Sequence, residues 1–246
     1  MAKVFIVTQA RLKSTRLPEK ILKEIQGKSL LQIHLESLKK SKYSKNLIVA
    51  TTNEKGIEKV IRLLKYMSIK YYQGSNHDVL DRYYQAALSY KPDYIVRVTS
   101  DCPLIDGNLM DQVIDFAIIE EADYVSNTLV ENYPDGQDVE VISWSALKKA
   151  WEESKCKFDR EHVTPYIKKK STFNGGDLFT SKNFSCQKDF NHIRMTLDEK
   201  DDYEAIKVLI KNLGFGRDWL TYTKFINDNQ SLFTNQNIIR NEGSKV

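Results

Sequence analysis

Val4-Phe5-Ile6-Val7 is an unbroken apolar run of strand length. It is followed by a polar stretch, Thr8 to Lys20, that contains Pro18, and then by Leu30, Leu31, Ile33, His34 and Leu38 at helical spacing. The chain therefore opens with strand, long loop, helix. The alternation continues outward from there, with strands expected at Leu47 to Ala50, Ile69 to Tyr72 and Tyr94 to Val98. Helices are expected at Ile57 to Tyr66, Val79 to Leu88 and Leu109 to Ile119. Strands and helices in turn, with short connections, predict an α/β fold: a mostly parallel, doubly wound sheet covered on both faces.

After Glu121 the rhythm breaks. Tyr124 to Ser126 and Val139 to Ile142 read as short strands around a turn at Tyr133-Pro134-Asp135-Gly136, so a mixed-strand insertion is expected over about residues 123–190. Helices are expected at Ser145 to Glu153, Arg160 to Lys169 and Tyr203 to Ile210, and a strand ending at Met195-Thr196-Leu197. We read residues 1–230 as one domain and 231–246 as a polar tail.

Composition excludes several classes of function. With 246 residues, 41% of them hydrophobic, the chain can bury a full core, and a net charge of +4 carried by dispersed lysines is a weak footprint for nucleic acid. Cys102, Cys156 and Cys186 are odd in number and far apart, which supports neither a disulfide framework nor a zinc site. No stretch reaches the ~18 apolar residues of a membrane span, and no leader is evident at the first residues. A cytoplasmic protein with no membrane partner is expected.

In doubly wound sheets ligands bind at the carboxyl ends of the strands. The loop after the first strand, Gln9-Ala10-Arg11-Leu12-Lys13-Ser14-Thr15-Arg16-Leu17-Pro18-Glu19-Lys20, holds four cations and two hydroxyls but no glycine. It is therefore neither a Walker A loop nor a dinucleotide fingerprint, both of which bring bare backbone to phosphate. The chain has 28 lysines and only nine arginines, yet Arg11, Arg16, Arg82, Arg97, Arg160 and Arg194 all fall in or beside strand-end segments. The planar guanidinium fork suits phosphate or carboxylate, although buried structural ion pairs use it equally. Asp101 follows the fourth main strand and Asp198 follows the Met195-Thr196-Leu197 segment. A parallel sheet would bring both to one edge, where two carboxylates suffice for magnesium beside substrate oxygens. Helix capping is the alternative for Asp198 and Asp201 and is preferred for Asp201 and Asp202.

Seven ordered motifs between Val4 and Ile210 resemble the SpsF-like cytidylyltransferases of spore-coat polysaccharide biosynthesis, relatives of the enzymes that make CMP-activated sialic acid and CMP-activated ketodeoxyoctonate. The first loop with Arg16-Leu17-Pro18 and Lys20 carries one motif, and Asp78-Val79-Leu80-Asp81-Arg82-Tyr83, Thr99 to Leu104 and Asp123 to Asn127 carry the next three. Tyr133 to Val141, Arg160-Glu161-His162-Val163-Thr164 and Thr196-Leu197-Asp198 complete the set. Where the family has Met-Gly this chain has Leu12-Lys13, and where it has Gly this chain has Glu19.

The resemblance implies a Rossmann-like sheet of the nucleotide-diphospho-sugar transferase type and a magnesium-dependent transfer of CMP from CTP to a small anionic acceptor in a homodimer. It also implies roles. Gln9, Ala10, Arg11, Ser14, Thr15, Arg16, Lys20 and Ser100 would hold the nucleotide, with the segment Gly74 through Asp78, Gly74, Ser75 and Asp78 foremost, and Arg82 beside the base. Arg11, Arg16, Lys20 and Asp101 would be catalytic, and Asp101 and Asp198 would bind magnesium. Asn127, Tyr133, Gly136, Asp138, Glu140, Arg160, His162 and Arg194 would meet the acceptor. Two rival readings are a glycosyltransferase of similar fold using a nucleotide sugar and a non-catalytic nucleotide-binding protein.

Overall fold

The computed structural model describes residues 2–238 and Arg240. Strand β1 (Val4–Ala10) lies inside a seven-stranded sheet. It pairs in parallel with β4 (Leu47–Thr52) on one side and β6 (Tyr94–Thr99) on the other, and β4 pairs in parallel with β5 (Lys70–Gly74). Beyond β6 the sheet turns mixed. β8 (Glu140–Ser143) runs antiparallel to both β6 and β7 (Tyr124–Ser126), and β9 (Ser181–Asn183) is parallel to β7. The sheet order is thus β5-β4-β1-β6-β8-β7-β9, the parallel half preceding the mixed insertion that the broken rhythm announced. A two-stranded hairpin, β2 (Glu24–Ile25) with β3 (Lys28–Ser29), stands outside it.

The period-two alternation of β1 divides the core. Val4 and Ile6 face a cluster with Leu31 and Leu35 of α1 (Leu30–Leu38), Val60 and Leu64 of α2 (Glu58–Tyr66) and Val113 and Ile114 of α4 (Gly107–Glu120). Phe5 and Val7 face the other way, toward Leu80 and Tyr83 of α3 (Val79–Leu88), Leu147 of α5 (Trp144–Glu153) and Ile167 of α7 (Pro165–Lys169). Both faces are buried, which is why the strands are apolar throughout rather than alternating with polar residues. Side-chain caps set the helix starts: Ser29 accepts from Gln32 N, Asp78 from Asp81 N, Asp106 from Asn108 N and Ser143 from Ala146 N.

Four sequence expectations change. β1 runs on to Ala10, so Gln9 and Ala10 belong to the strand, Gln9 opposite Ala50 and Thr99. The helix expected from Arg160 to Lys169 is two, α6 (Lys157–His162) and α7, because Val163 takes a positive φ of 72° that ends α6, and Pro165 then starts α7. The segment expected to be a strand at Met195-Thr196-Leu197 is extended without joining the sheet. It docks on loops instead, Leu197 N donating to Asp101 O at 2.8 Å and Met195 N to Asp135 O at 2.7 Å. Of the capping roles expected, that of Asp202 holds, in a reciprocal box with Glu199 at the start of α8 (Lys200–Leu213), whereas Asp198 and Asp201 take no part in the cap.

A further helix, α9 (Trp219–Asp228), packs with α8 into a third cluster that also holds Leu17, Leu30, Leu104 and Leu197. In its described part the stretch from Ser231 returns to the domain: Phe233 and Asn235 are buried, and Arg240 reaches Asp138. Residues 241–246 of the expected tail lie outside the described residues.

Candidate functional site

The carboxyl ends of β1, β4 and β6 open into a cleft of about 1780 Å³ whose far wall is the insertion. The first loop forms the near wall. Its backbone is tied down where it leaves β1: Thr51 Oγ1 donates to Ala10 O at 2.8 Å, and Glu54 accepts from Leu12 N at 2.7 Å and Lys13 N at 3.2 Å. Leu12 is itself buried in the core, so the chain is anchored there and Arg11, Lys13, Ser14, Thr15 and Arg16 stand along the cleft.

Lys20 closes the loop. Its Nζ donates to Asp198 Oδ1 at 2.6 Å and to Leu197 O at 2.8 Å, and lies 3.5 Å from Asp101 Oδ2. Carboxylates 97 positions apart in sequence thus share one ammonium. Burial alone would lower the Lys20 pKa, but Asp101 and Asp198 outweigh it and hold it above its ordinary value. Burial would likewise raise Asp101, yet Lys20 and the Thr99 hydroxyl bring it below the usual carboxylate range. Arg16 adds a second cation, 3.1 Å from Asp198 and 3.5 Å from Glu199. Among the described residues no group of three or more His, Cys, Asp or Glu is arranged to hold a metal alone. Two hard carboxylates side by side are nevertheless the donor set magnesium takes when substrate phosphates and water complete its shell.

The far wall is built differently. Glu140, almost wholly buried, is paired with Arg97, lies 3.0 Å from Lys168 Nζ, and accepts from Thr164 Oγ1 at 2.7 Å and from the Tyr124 hydroxyl. Burial would raise its carboxyl, but Lys168, Arg97 and these hydrogen bonds pull it well below the ordinary value. Arg194 donates through Nε and Nη2 to both oxygens of Asp202 and through Nη1 to Asp135, each at 2.8 Å. Burial and the neighbouring Asp138 push Asp135 up to about 7, against the pull of Arg240 and Arg194. Asp138 accepts from Arg240 Nη2 at 2.6 Å.

The sequence-expected residues separate accordingly. Gln9, Arg11, Ser14, Thr15, Arg16, Lys20, Arg82, Ser100, Asp101 and Asp198 line the cleft, as do Asp138, Glu140, His162 and Arg194. Others support the wall from behind. Ala10 is buried in the strand, and Gly74 leaves room for its neighbours, since a Cβ there would stand 2.8 Å from the Tyr72 ring and 3.0 Å from Arg82 Cγ. Ser75 offers its carbonyl to Arg82 Nη1 at 2.6 Å. Asp78 caps α3 and receives Arg160, which is thereby committed to α3 rather than facing the acceptor. Asn127 bridges the backbones of Gln137 and Val139, and Tyr133 stacks in the core on Phe184 and meets Trp219 edge to face. Gly136 serves a close approach: its φ is +105°, and a Cβ there would stand 2.8 Å from Met195 C and Thr196 N.

Three atoms in the cleft wall, Gln9 Oε1, Asn76 Oδ1 and Arg82 Nε, are buried without a hydrogen-bond partner among the described residues. His162 lines the cleft against Phe158 with ring centroids 4.4 Å apart, and burial holds it below its ordinary value, neutral at pH 7. Sequence reasoning passed over Glu54 and Lys168, and reached Asn76 only as part of the segment Gly74 through Asp78. Glu54 stands two residues beyond a strand end, the very place the strand-end rule inspects, but a lone glutamate without a motif around it carries no signal.

A family model described as cytidylyltransferase matches residues 4–236. The spore coat polysaccharide biosynthesis protein SpsF of Bacillus subtilis is 30% identical over 225 residues, covering 87% of this chain and 89% of that protein. A 3-deoxy-manno-octulosonate cytidylyltransferase of Francisella tularensis is 32% identical over 141 residues, 56% of this chain and 55% of that protein. Among solved structures, a cytidylyltransferase from Leptospira borgpetersenii superposes with a TM-score of 0.90 at 32% identity, covering 98% of this chain and all of that one.

Proposed function

The chain belongs to the cytidylyltransferase family, and from that premise we propose that it transfers CMP from CTP to an acidic sugar or similar small anionic acceptor, releasing pyrophosphate. The observation that carries this reading is Lys20, which draws Asp101 and Asp198 together at the foot of the cation-bearing loop. A triphosphate laid along Arg11, Lys13, Arg16 and Lys20 would place its α-phosphorus near those carboxylates. Arginine forks and ammonium donors would take the growing charge on pyrophosphate as the bond between the α- and β-phosphates breaks.

Asp101 and Asp198 would hold magnesium, which when bound neutralises charge on the phosphates. The unpartnered Gln9 Oε1, Asn76 Oδ1 and Arg82 Nε support a base-reading wall: two acceptors and one donor, buried and unsatisfied, complement an amino-bearing pyrimidine. The far wall, where His162 lines the cleft, would receive the acceptor. A hydroxyl acceptor needs a base to take its proton, a role we assign to His162 on the cleft wall, whereas a phosphate or phosphonate acceptor needs none. The Francisella relative's name points to an ulosonic acid as acceptor, and the Bacillus relative's to surface polysaccharide. We extend the reading to a homodimer built on residues 123–190, where Val130 and Phe173 are exposed, and to the cytoplasm, where CTP is made. No described helix is long and apolar enough to cross a membrane.

Pyrophosphate release with CTP, UTP, ATP and GTP, screened against ulosonic acids, sugar phosphates and small phosphonates, tests the proposal. CTP with one anionic acceptor class should dominate. Equal turnover of a purine triphosphate would overturn it, and turnover only of nucleotide sugars would point to a glycosyltransferase instead.

A further inference from the structure

The first loop lacks the glycines that let backbone amides meet phosphate, and the fate of its amides shows what replaces them. Leu12 N and Lys13 N both donate to the Glu54 carboxylate, at 2.7 and 3.2 Å, and Thr52 Oγ1 donates to Glu54 Oε1 at 2.7 Å. Glu54 is buried and reaches the cleft from the end of β4. Two carbonyls of the same turn are engaged as well: Glu19 N donates to Leu12 O at 3.2 Å, and Ala10 O accepts from Thr51. A side-chain carboxylate therefore sits where a glycine-rich loop would place an anionic ligand.

We propose that Glu54 is the positioning residue of the triphosphate cradle. It fixes the backbone at Leu12 and Lys13 so that Arg11, Lys13 and Arg16 project along the cleft, and it occupies those two amides, so that the cations rather than these N–H groups meet phosphate there. Cradle residues act through charge and alignment, and displacing them by about 1 Å is costly to binding and rate. The groups Glu54 aligns serve the β- and γ-phosphates, so its loss should weaken CTP far more than CMP. This inference rests on the reading of the loop as a triphosphate cradle.

Calorimetric titration of CTP and CMP into wild type, Glu54→Gln, Glu54→Ala and Arg16→Ala, with melting temperatures of each, tests it. Glu54→Gln keeps one acceptor but turns an amide N–H toward a backbone N–H. It should weaken CTP by about tenfold while CMP stays within about twofold, and Glu54→Ala should weaken CTP further. If Arg16→Ala weakens CTP and Glu54→Gln does not, the positioning role is wrong while the cradle stands. Equal weakening of CTP and CMP in Glu54→Gln would reduce Glu54 to general structural support and also overturn the role. If Arg16→Ala leaves CTP binding unchanged, the cradle itself fails, and the inference with it.

Discussion

On the β1 side of the cleft, Arg11 and Arg16 leave 50% and 43% of their side chains exposed, and their nearest carboxylates stand at 4.0 and 3.1 Å. On the β8 side, Glu140 is 5% exposed and held by two cations and two hydroxyls, and Arg194 is locked between Asp135 and Asp202. Similar residue types therefore exist in opposite states. Arg11 and Arg16 stay about half exposed and within reach of an incoming anion, Arg16 while also paired at the cleft surface with Asp198 and Glu199. The buried charges are already neutralised by one another, because desolvating an unpaired charge would cost several kcal/mol. Basic residues at a strand end thus do not by themselves mean ligand binding; their commitment to partners decides.

The largest effect that would break this contrast is on stability. Glu140→Gln should destabilise the fold by about 3 kcal/mol in urea titration, since the partly buried Arg97 and Lys168 would lose the buried carboxylate between them. The sign with pH follows from a folded value held below the ordinary 4.5. The contribution is complete above the unfolded value and is lost as pH falls through the lower folded one. The gap between wild type and Glu140→Gln should therefore be level above about pH 5 and close in acid. A gap that instead grew in acid, or a variant as stable as wild type, would mean that Glu140 is as uncommitted as the loop.

Asp101→Asn and Asp198→Asn come next and should act on rate. Each should lower turnover by about a hundredfold or more while melting within a few degrees of wild type. An Asp198→Asn enzyme of full activity would dismiss that carboxylate from the chemistry. Arg16→Ala should raise the apparent KM for CTP by about tenfold and lower kcat, with only partial recovery in Arg16→Lys because an ammonium cannot form the fork. Wild-type kinetics in both would erase the distinction between the two walls. The smallest change sharpens it: Glu161→Gln, which removes the half-exposed partner 4.0 Å from Arg11, should move the melting temperature by less than about 2 °C.

The alternation of apolar runs and helical spacings from Val4 to Ile119 was enough to derive the parallel half of the sheet and both of its covered faces, because burial on two sides leaves a continuous apolar run that sequence displays directly. The strand-end rule found Arg11, Arg16, Lys20 and Asp101, which follow β1 and β6, since their positions follow from connectivity alone; it reached Asp198 through an expected strand that does not form. Tertiary structure decided which of the other polar residues remain open to a ligand. Arg160 and Arg194 look like Arg16 in the sequence, yet Asp78 claims the first and Asp202 the second. Asp198 reaches Asp101 through a backbone contact between loops rather than through a sheet strand, and Glu54 holds two amides 41 and 42 positions away. Those pairings join residues distant in sequence, and their partners are set by how the loops pack over the sheet edge, which no local pattern records.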